Sequence, residues 1–201
     1  MPIDSEQTVT VLGLGYIGLP TAALIARSGN KVTGVDVSRH VVDTVNNGKV
    51  HIEEVDLDGL VQGVVSRGTL VASTDVAPAD TFVIAVPTPH DEEHRPDISH
   101  VLSAARAIAP KLETGNLVIL ESTSPVGTTE KVSALLAELR PDLKVPGTCT
   151  GAADIFVAYC PQRVLPGRIL VELVDNDRCI GGITPRCARP AVTLYPQFVG
   201  G

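Results

Sequence analysis

Short continuous apolar runs alternate along this chain with stretches in which apolar residues recur at helical spacing. The pattern predicts strands at Thr8–Leu12, Lys31–Asp36, Thr69–Ala72, Thr81–Val86, Asn116–Glu121, Ile155–Cys160 and Arg178–Gly182. It predicts helices at Ile17–Ser28, Ser38–Asn47, Leu60–Ser66, Ile98–Leu112 and Thr128–Leu139, with Pro185–Phe198 helical in part. Ser38 is placed to cap its helix, and Asp97 or Ser99 the fourth; Asn47-Gly48 marks a stop. Residues 49–58, 87–97 and 146–153 are polar or proline-rich and read as loops. The β-α-β-α order predicts an α/β fold, a doubly wound and mostly parallel sheet with right-handed crossovers. No internal repeat and no Gly-, Ser- or Pro-rich linker divides the chain. One domain over residues 1–201 is therefore expected, with a core at about 8–184 and a frayed or partly helical tail at 185–201.

Composition sharpens this picture. Hydrophobic residues make up 44% of the 201, yet there is no Trp and only three Phe and three Tyr. The core must be aliphatic, as suits strands buried on both faces of a parallel sheet. A formal charge of −7 argues against nonspecific nucleic-acid binding, which needs clustered Lys and Arg. Any phosphate must be held by backbone amides or a few arginines. Cys149, Cys160, Cys179 and Cys187 form no C-x-x-C pair and have no zinc-finger partner, so idle thiols in a reducing cytosol are expected. The start lacks the basic residues of a signal peptide, and no apolar run approaches the roughly 18 residues of a membrane span. A cytoplasmic protein is the expectation.

The chemistry begins in "VLGLGYIGLPTAALIARSGNKVTGVD", residues 11–36. Gly13-x-Gly15-x-x-Gly18 follows a predicted strand and opens a predicted helix, and Asp36 ends the next strand 21 residues after Gly15. That context turns a weak motif into a specific one, the fingerprint of a Rossmann-type dinucleotide-binding domain. Gly13 permits the tight turn, Gly15 lets a pyrophosphate approach the backbone, and Gly18 lets helix and strand pack closely. The helix mouth offers unpaired N–H groups and a positive dipole end. Asp36 is placed to accept from ribose hydroxyls and to repel a 2′-phosphate, which favours NAD over NADP. Arg39 blurs this, since an arginine can accommodate that phosphate; it could also stack on adenine or face solvent.

Taken together, "VLGLGYIGLPTAALIA", "GVD", "IAVPTP", "LESTSPVGTTEKV" and "AYCPQRVLPGRILVELVDNDRCIGG" resemble the UDP-glucose/GDP-mannose dehydrogenase family, most closely the branch acting on UDP-N-acetyl-D-mannosamine. The resemblance implies oxidation of a nucleotide sugar's C6 alcohol to a carboxylate with two NAD per turnover. The product would be UDP-N-acetyl-mannosaminuronate, for bacterial surface polysaccharides. It further implies that Gly13, Gly15, Tyr16, Ile17 and Gly18 form the dinucleotide loop and Asp36 the ribose acid. Pro87, Thr88, Ser122 and Thr123 would line the coenzyme site, with Thr123 beside the nicotinamide and positioning a water. Arg163, Val164 and Leu165 would belong to the loop that grips the UDP-sugar. From the residues alone, Thr88 could equally be a turn residue, and Ser122 and Thr123 helix-capping hydroxyls.

Two departures bear on catalysis. The family pattern has Glu where this chain has Gln162; that acid is thought to act on the water that hydrolyses a thioester. An amide can hydrogen-bond but is a poor general base, a role typically worth about 10²–10⁴-fold. The family's nucleophilic cysteine, its oxyanion-stabilising lysine and asparagine, and its dimerisation helix belong to segments with no counterpart up to Gly201. An isolated chain that is incomplete for catalysis, and a monomer or weak dimer, are expected on that ground. The alternatives are a stand-alone NAD-binding or regulatory module and a dehydrogenase of small hydroxy acids, which "CPQRVLPG" opposes. Cys160 is expected to be structural, since its surroundings match the family's "YCPE" and no nucleophile motif. "HDEEH" places His90 and His94 four apart, but the flanking prolines favour a solvated loop over a metal site. Arg163 and Arg168 could meet phosphate or sugar oxygens, or simply be exposed.

Overall fold

The computed structural model describes residues 7–200; residues 1–6 and 201 of the predicted domain lie outside the described residues. One sheet contains β1 (Thr8–Leu12), β2 (Lys31–Val35), β3 (Leu70–Ser73), β4 (Thr81–Ile84), β5 (Leu117–Leu120), β6 (Phe156–Tyr159) and β7 (Gly181–Gly182). Their spatial order is β3-β2-β1-β4-β5-β6-β7. The first six are parallel, and β7 runs antiparallel to β6 through the pairs Ala158↔Gly182 and Tyr159↔Gly181. The chain builds outward from β1 in one direction and from β4 in the other, so a crevice opens where the winding reverses, at the strands' carboxyl ends. The α/β doubly wound architecture expected from the pattern is the one observed.

The helices are α1 (Gly18–Arg27), α2 (Arg39–Asn46), α3 (Leu57–Ser66), α4 (Ser99–Ile108), α5 (Thr128–Leu139), α6 (Ile169–Asp175) and α7 (Pro185–Leu194). The aliphatic core lies in two layers, one on each face of the sheet. All four residues of β4 and of β5 are buried, and side chains such as Phe82, Ile84 and Ile119 each contribute about 1.5–3 kcal/mol on burial. Ser38 caps α2 as expected, its Oγ accepting from the Val41 N–H at 3.4 Å. Neither Asp97 nor Ser99 caps α4 in the ordinary way; Asp97 Oδ1 instead accepts from the Ser99 N–H at 2.8 Å.

Four differences from the predicted elements have physical causes. The fourth helix stops at Ile108 because Pro110 brings no N–H, and the chain tightens into a 3₁₀ turn, Ala109–Lys111. Arg140 Nη1 then donates to the carbonyls of Ala109 and Leu112, at 2.9 and 2.5 Å. α3 begins at Leu57 because Asp56, at φ 62°, ends the preceding loop. The last strand shrinks to Gly181–Gly182, since Arg178 turns inward over the Tyr195 ring, 5.9 Å from its centroid. Finally, α6 was not expected; it buries Ile169 and Leu173, one turn apart. Residues 185–197 are helix followed by 3₁₀ turn, with Cys187, Ala191, Leu194 and Tyr195 buried. This segment is helical, and Ala191, Leu194 and Tyr195 are packed on the core.

Candidate functional site: a dinucleotide crevice

The loops after β1, β2, β4, β5 and β6 meet at one edge of the sheet, and the sequence-predicted residues lie on them. Gly13 sits at φ 90°, and a Cβ there would lie 2.6 Å from the Ala85 carbonyl oxygen. A Cβ on Gly18 would lie 1.7 Å from the Gly13 carbonyl oxygen, so α1 can seat against the turn only with glycine there. Gly15 differs from both: a Cβ on it would meet nothing within 4 Å. Packing within the chain does not demand that glycine, and the space above it is open. Tyr16 is exposed and Ile17 half-buried at the mouth of α1, where no side chain caps the helix.

Asp36 stands beside this turn. Its Oδ2 accepts from the Leu14 N–H at 3.0 Å and its Oδ1 from the Ser38 N–H at 2.9 Å. Each oxygen retains a lone pair, since a carboxylate offers about four acceptor positions. A cavity of about 360 Å³ adjoins it, walled by Val37, Thr74, Val76, Pro87 and Ala104. An apolar slot beside a fixed carboxylate, next to a helix mouth with open space above a glycine, fits the adenine, ribose and pyrophosphate of a dinucleotide. Arg39 is exposed at the start of α2.

On the other side of the crevice, hydroxyls tie three loops together. Thr88 Oγ1 donates to the Thr123 carbonyl at 2.6 Å, and Thr123 Oγ1 donates to the Gln162 carbonyl at 3.3 Å. Ser122 Oγ is buried and bonds the carbonyls of Val86 and Ile84, at 2.7 and 3.2 Å. Neither Ser122 nor Thr123 caps α5, whose N-cap is Gly127. Thr123 is exposed at the edge, whereas Gln162 points inward, 5% exposed. Arg163 and Leu165 are exposed, Arg168 also, and Val164 packs on the core. His90 and His94 lie in an exposed loop closed by the Arg95–Asp91 ion pair, and no metal-holding group of three His, Cys, Asp or Glu is found among the described residues.

Sequence reasoning missed the groups behind these loops. Glu121, the residue after β5, is 1% exposed. Its Oε1 accepts from Tyr195 Oη at 2.7 Å and Gln162 Nε2 at 2.9 Å, and its Oε2 from Thr21 Oγ1 at 3.2 Å. Burial pushes its carboxyl up from the usual range, against the pull of the three donors and of Arg178. Gln162 Oε1 is buried with no protein partner. Cys160, beside this cluster, has its thiol pushed up to about 11 by burial and then by the Glu121 charge. It is a poor thiolate. His51 was also passed over: burial lowers its pKa, and the Asp36 carboxylate and Leu14 backbone lie close enough to oppose that. An acid directly following a buried strand, as in "LEST", was the one available sign of Glu121.

The NAD-binding domain model of the UDP-glucose/GDP-mannose dehydrogenase family matches residues 7–199. The chain is 56% identical over 197 residues to a UDP-N-acetyl-D-mannosamine dehydrogenase of Yersinia pestis, covering 98% of this chain and 47% of that protein. It is 55% identical over 195 residues to an NDP-N-acetyl-D-galactosaminuronic acid dehydrogenase of Ralstonia nicotianae, covering 97% and 46%. Among solved structures, a UDP-D-ManNAc dehydrogenase from Pyrococcus horikoshii superposes with a TM-score of 0.89 at 41% identity, over 96% of this chain and 45% of that one. The chain spans about half the length of the curated relatives it matches.

Proposed function

This chain belongs to the UDP-glucose/GDP-mannose dehydrogenase family as its NAD-binding domain, and on that premise we propose that it serves an enzyme oxidising the C6 alcohol of UDP-N-acetyl-D-mannosamine to the uronate. The observation that carries the coenzyme half is Asp36, held by two backbone N–H groups beside the open space over Gly15. Its remaining lone pairs suit the two ribose hydroxyls, and its charge opposes a 2′-phosphate. The substrate half is supported by the named activities of relatives more than half identical. Those names also disfavour a non-catalytic binding module.

Bound NAD would supply a hydride acceptor. The chain's own residues order the site around it. Thr88, Thr123 and Gln162 link the loops after β4, β5 and β6, and the exposed Thr123 keeps its oxygen lone pairs for a water or alcohol proton. Gln162 can hold its loop through Glu121 but cannot take a proton. Cys160, protonated and buried, is no nucleophile. The proposal includes a cytoplasmic setting: all four cysteines are unpaired thiols, the state a reducing compartment maintains. Among the described residues no helix is long and apolar enough to cross a membrane.

Calorimetric titration with NAD, NADH and NADP tests the coenzyme site. NAD is expected to bind at least about tenfold tighter than NADP, a difference of about 1.4 kcal/mol. Absence of NAD binding at millimolar concentration overturns the assignment. Titration with UDP-N-acetyl-D-mannosamine against UDP-glucose tests the sugar, with preference for the former expected.

A further inference from the structure

The segment between α2 and α3 crosses to the 161–168 loop. Glu54 Oε2 accepts from the Gly167 N–H at 2.8 Å, and its Oε1 from the Ile169 N–H at 2.7 Å, 113 and 115 residues further along. Arg168 precedes α6 without any side-chain cap of its own, so the Glu54 carboxylate stands in for one. From the opposite side, Glu172 Oε2 accepts from the Leu165 N–H at 2.9 Å. The loop itself buries little: Arg163 and residues 165–168 are all exposed. Beyond Gln162 and Val164, packing does little to define its path, and two carboxylates gripping backbone amides hold the rest.

We propose that Glu54 is a positioning residue that holds the 161–168 loop in the form that receives a uridine diphosphate sugar. The proposal rests on the assignment of that loop to the sugar nucleotide. Its physical content is preorganisation: a loop already fixed by Glu54 need not be ordered when the ligand arrives. Glutamine cannot replace the carboxylate, because only one of its two terminal atoms accepts, and the other turns an N–H towards a backbone N–H.

The test compares the wild-type chain with Glu54→Gln and Glu54→Asp. It reads amide hydrogen exchange at residues 165–169, NAD affinity, and affinity for UDP-N-acetyl-D-mannosamine by chemical-shift titration. Glu54→Gln is expected to speed exchange at Gly167 and Ile169 at least about tenfold and to weaken sugar-nucleotide binding by about tenfold. NAD affinity should stay within about twofold. Glu54→Asp, which keeps the charge, should give an intermediate effect and covers the case in which the glutamine variant does not fold. Unchanged exchange and unchanged sugar-nucleotide affinity in both variants overturn the proposal. So does an equal fall in NAD and sugar-nucleotide affinity, which would mark Glu54 as a support of the whole domain. If the wild-type chain binds NAD but no sugar nucleotide, the loop assignment itself fails and takes the proposal with it.

Discussion

Tyr195 Oη donates a 2.7 Å hydrogen bond to Glu121 Oε1 across 74 residues of chain, with both groups shut away from water. The bond joins the end of the helical C-terminal segment to the residue that follows β5, directly behind Ser122 and Thr123. Tyr195→Phe leaves a buried carboxyl group short of one partner. Leaving a buried polar group without its partner costs about 1–3 kcal/mol, and the variant should lose stability on that scale in urea unfolding. An unaltered midpoint would mean that residues 185–197 are not part of the cooperative unit.

Glu121 also sets a pH dependence. Burial raises its pKa above the unfolded value, so between those two values the folded state holds a proton that the unfolded state has released. The group's contribution is complete below its unfolded pKa and is lost as pH rises through the folded one. Glu121→Gln removes the titration. The variant's stability relative to wild type should therefore improve from about pH 4.5 up to the folded-state pKa and level off above it; parallel stability–pH curves would contradict the buried-acid picture.

The second and third glycines of the fingerprint separate folding from binding. Gly18→Ala would drive a Cβ into the Gly13 carbonyl oxygen and should leave little folded protein. Gly15→Ala meets no protein atom and should fold with its thermal midpoint near that of wild type. Its NAD affinity should nevertheless fall at least about tenfold, because the methyl group occupies the space left for the pyrophosphate. Circular dichroism melts and NAD titration of both variants decide this, and full NAD binding by Gly15→Ala would place the phosphates elsewhere.

Asp36→Ala removes the proposed ribose acceptor together with the partner of the Leu14 and Ser38 amides. NAD binding should weaken by about tenfold or more, and discrimination against NADP should shrink. Equal NAD affinity in variant and wild type would withdraw the ribose assignment.

With its pKa at about 11, only about one Cys160 thiol in a thousand is ionised at pH 8. A thiol reagent should modify the exposed Cys179 quickly in the native protein and reach Cys160 only on unfolding. Mass mapping of the modified sites gives the order, and early labelling of Cys160 would contradict its burial.

The N-terminal half of the fold was legible because its signals are local. A run of β-branched residues, Thr8–Val11, made β1, the glycine spacing placed the turn, and Ser38 announced α2 through its own side chain. α5 was predicted with the bounds it has, Thr128–Leu139. The parts that escaped depend on distant partners. α6 is seven residues long and takes its cap from Glu54, over a hundred residues earlier. Gln162 reads in sequence as a residue of the ligand loop, yet its amide is turned towards Glu121. Ser122 and Thr123 could be weighed as caps or ligand contacts; the structure uses their hydroxyls as cross-ties between loops, which spacing alone does not specify.

The hydroxyl links from Thr88 to Thr123 and from Thr123 to Gln162 make neighbours of segments that are far apart in the gene. Residue changes in the third segment will shift the carbonyl that Thr123 holds, and with it the footing of the other two. If the third segment receives the sugar nucleotide as proposed, selectivity would change by concerted adjustment, and a graft of one segment from a relative should work best when all three travel together.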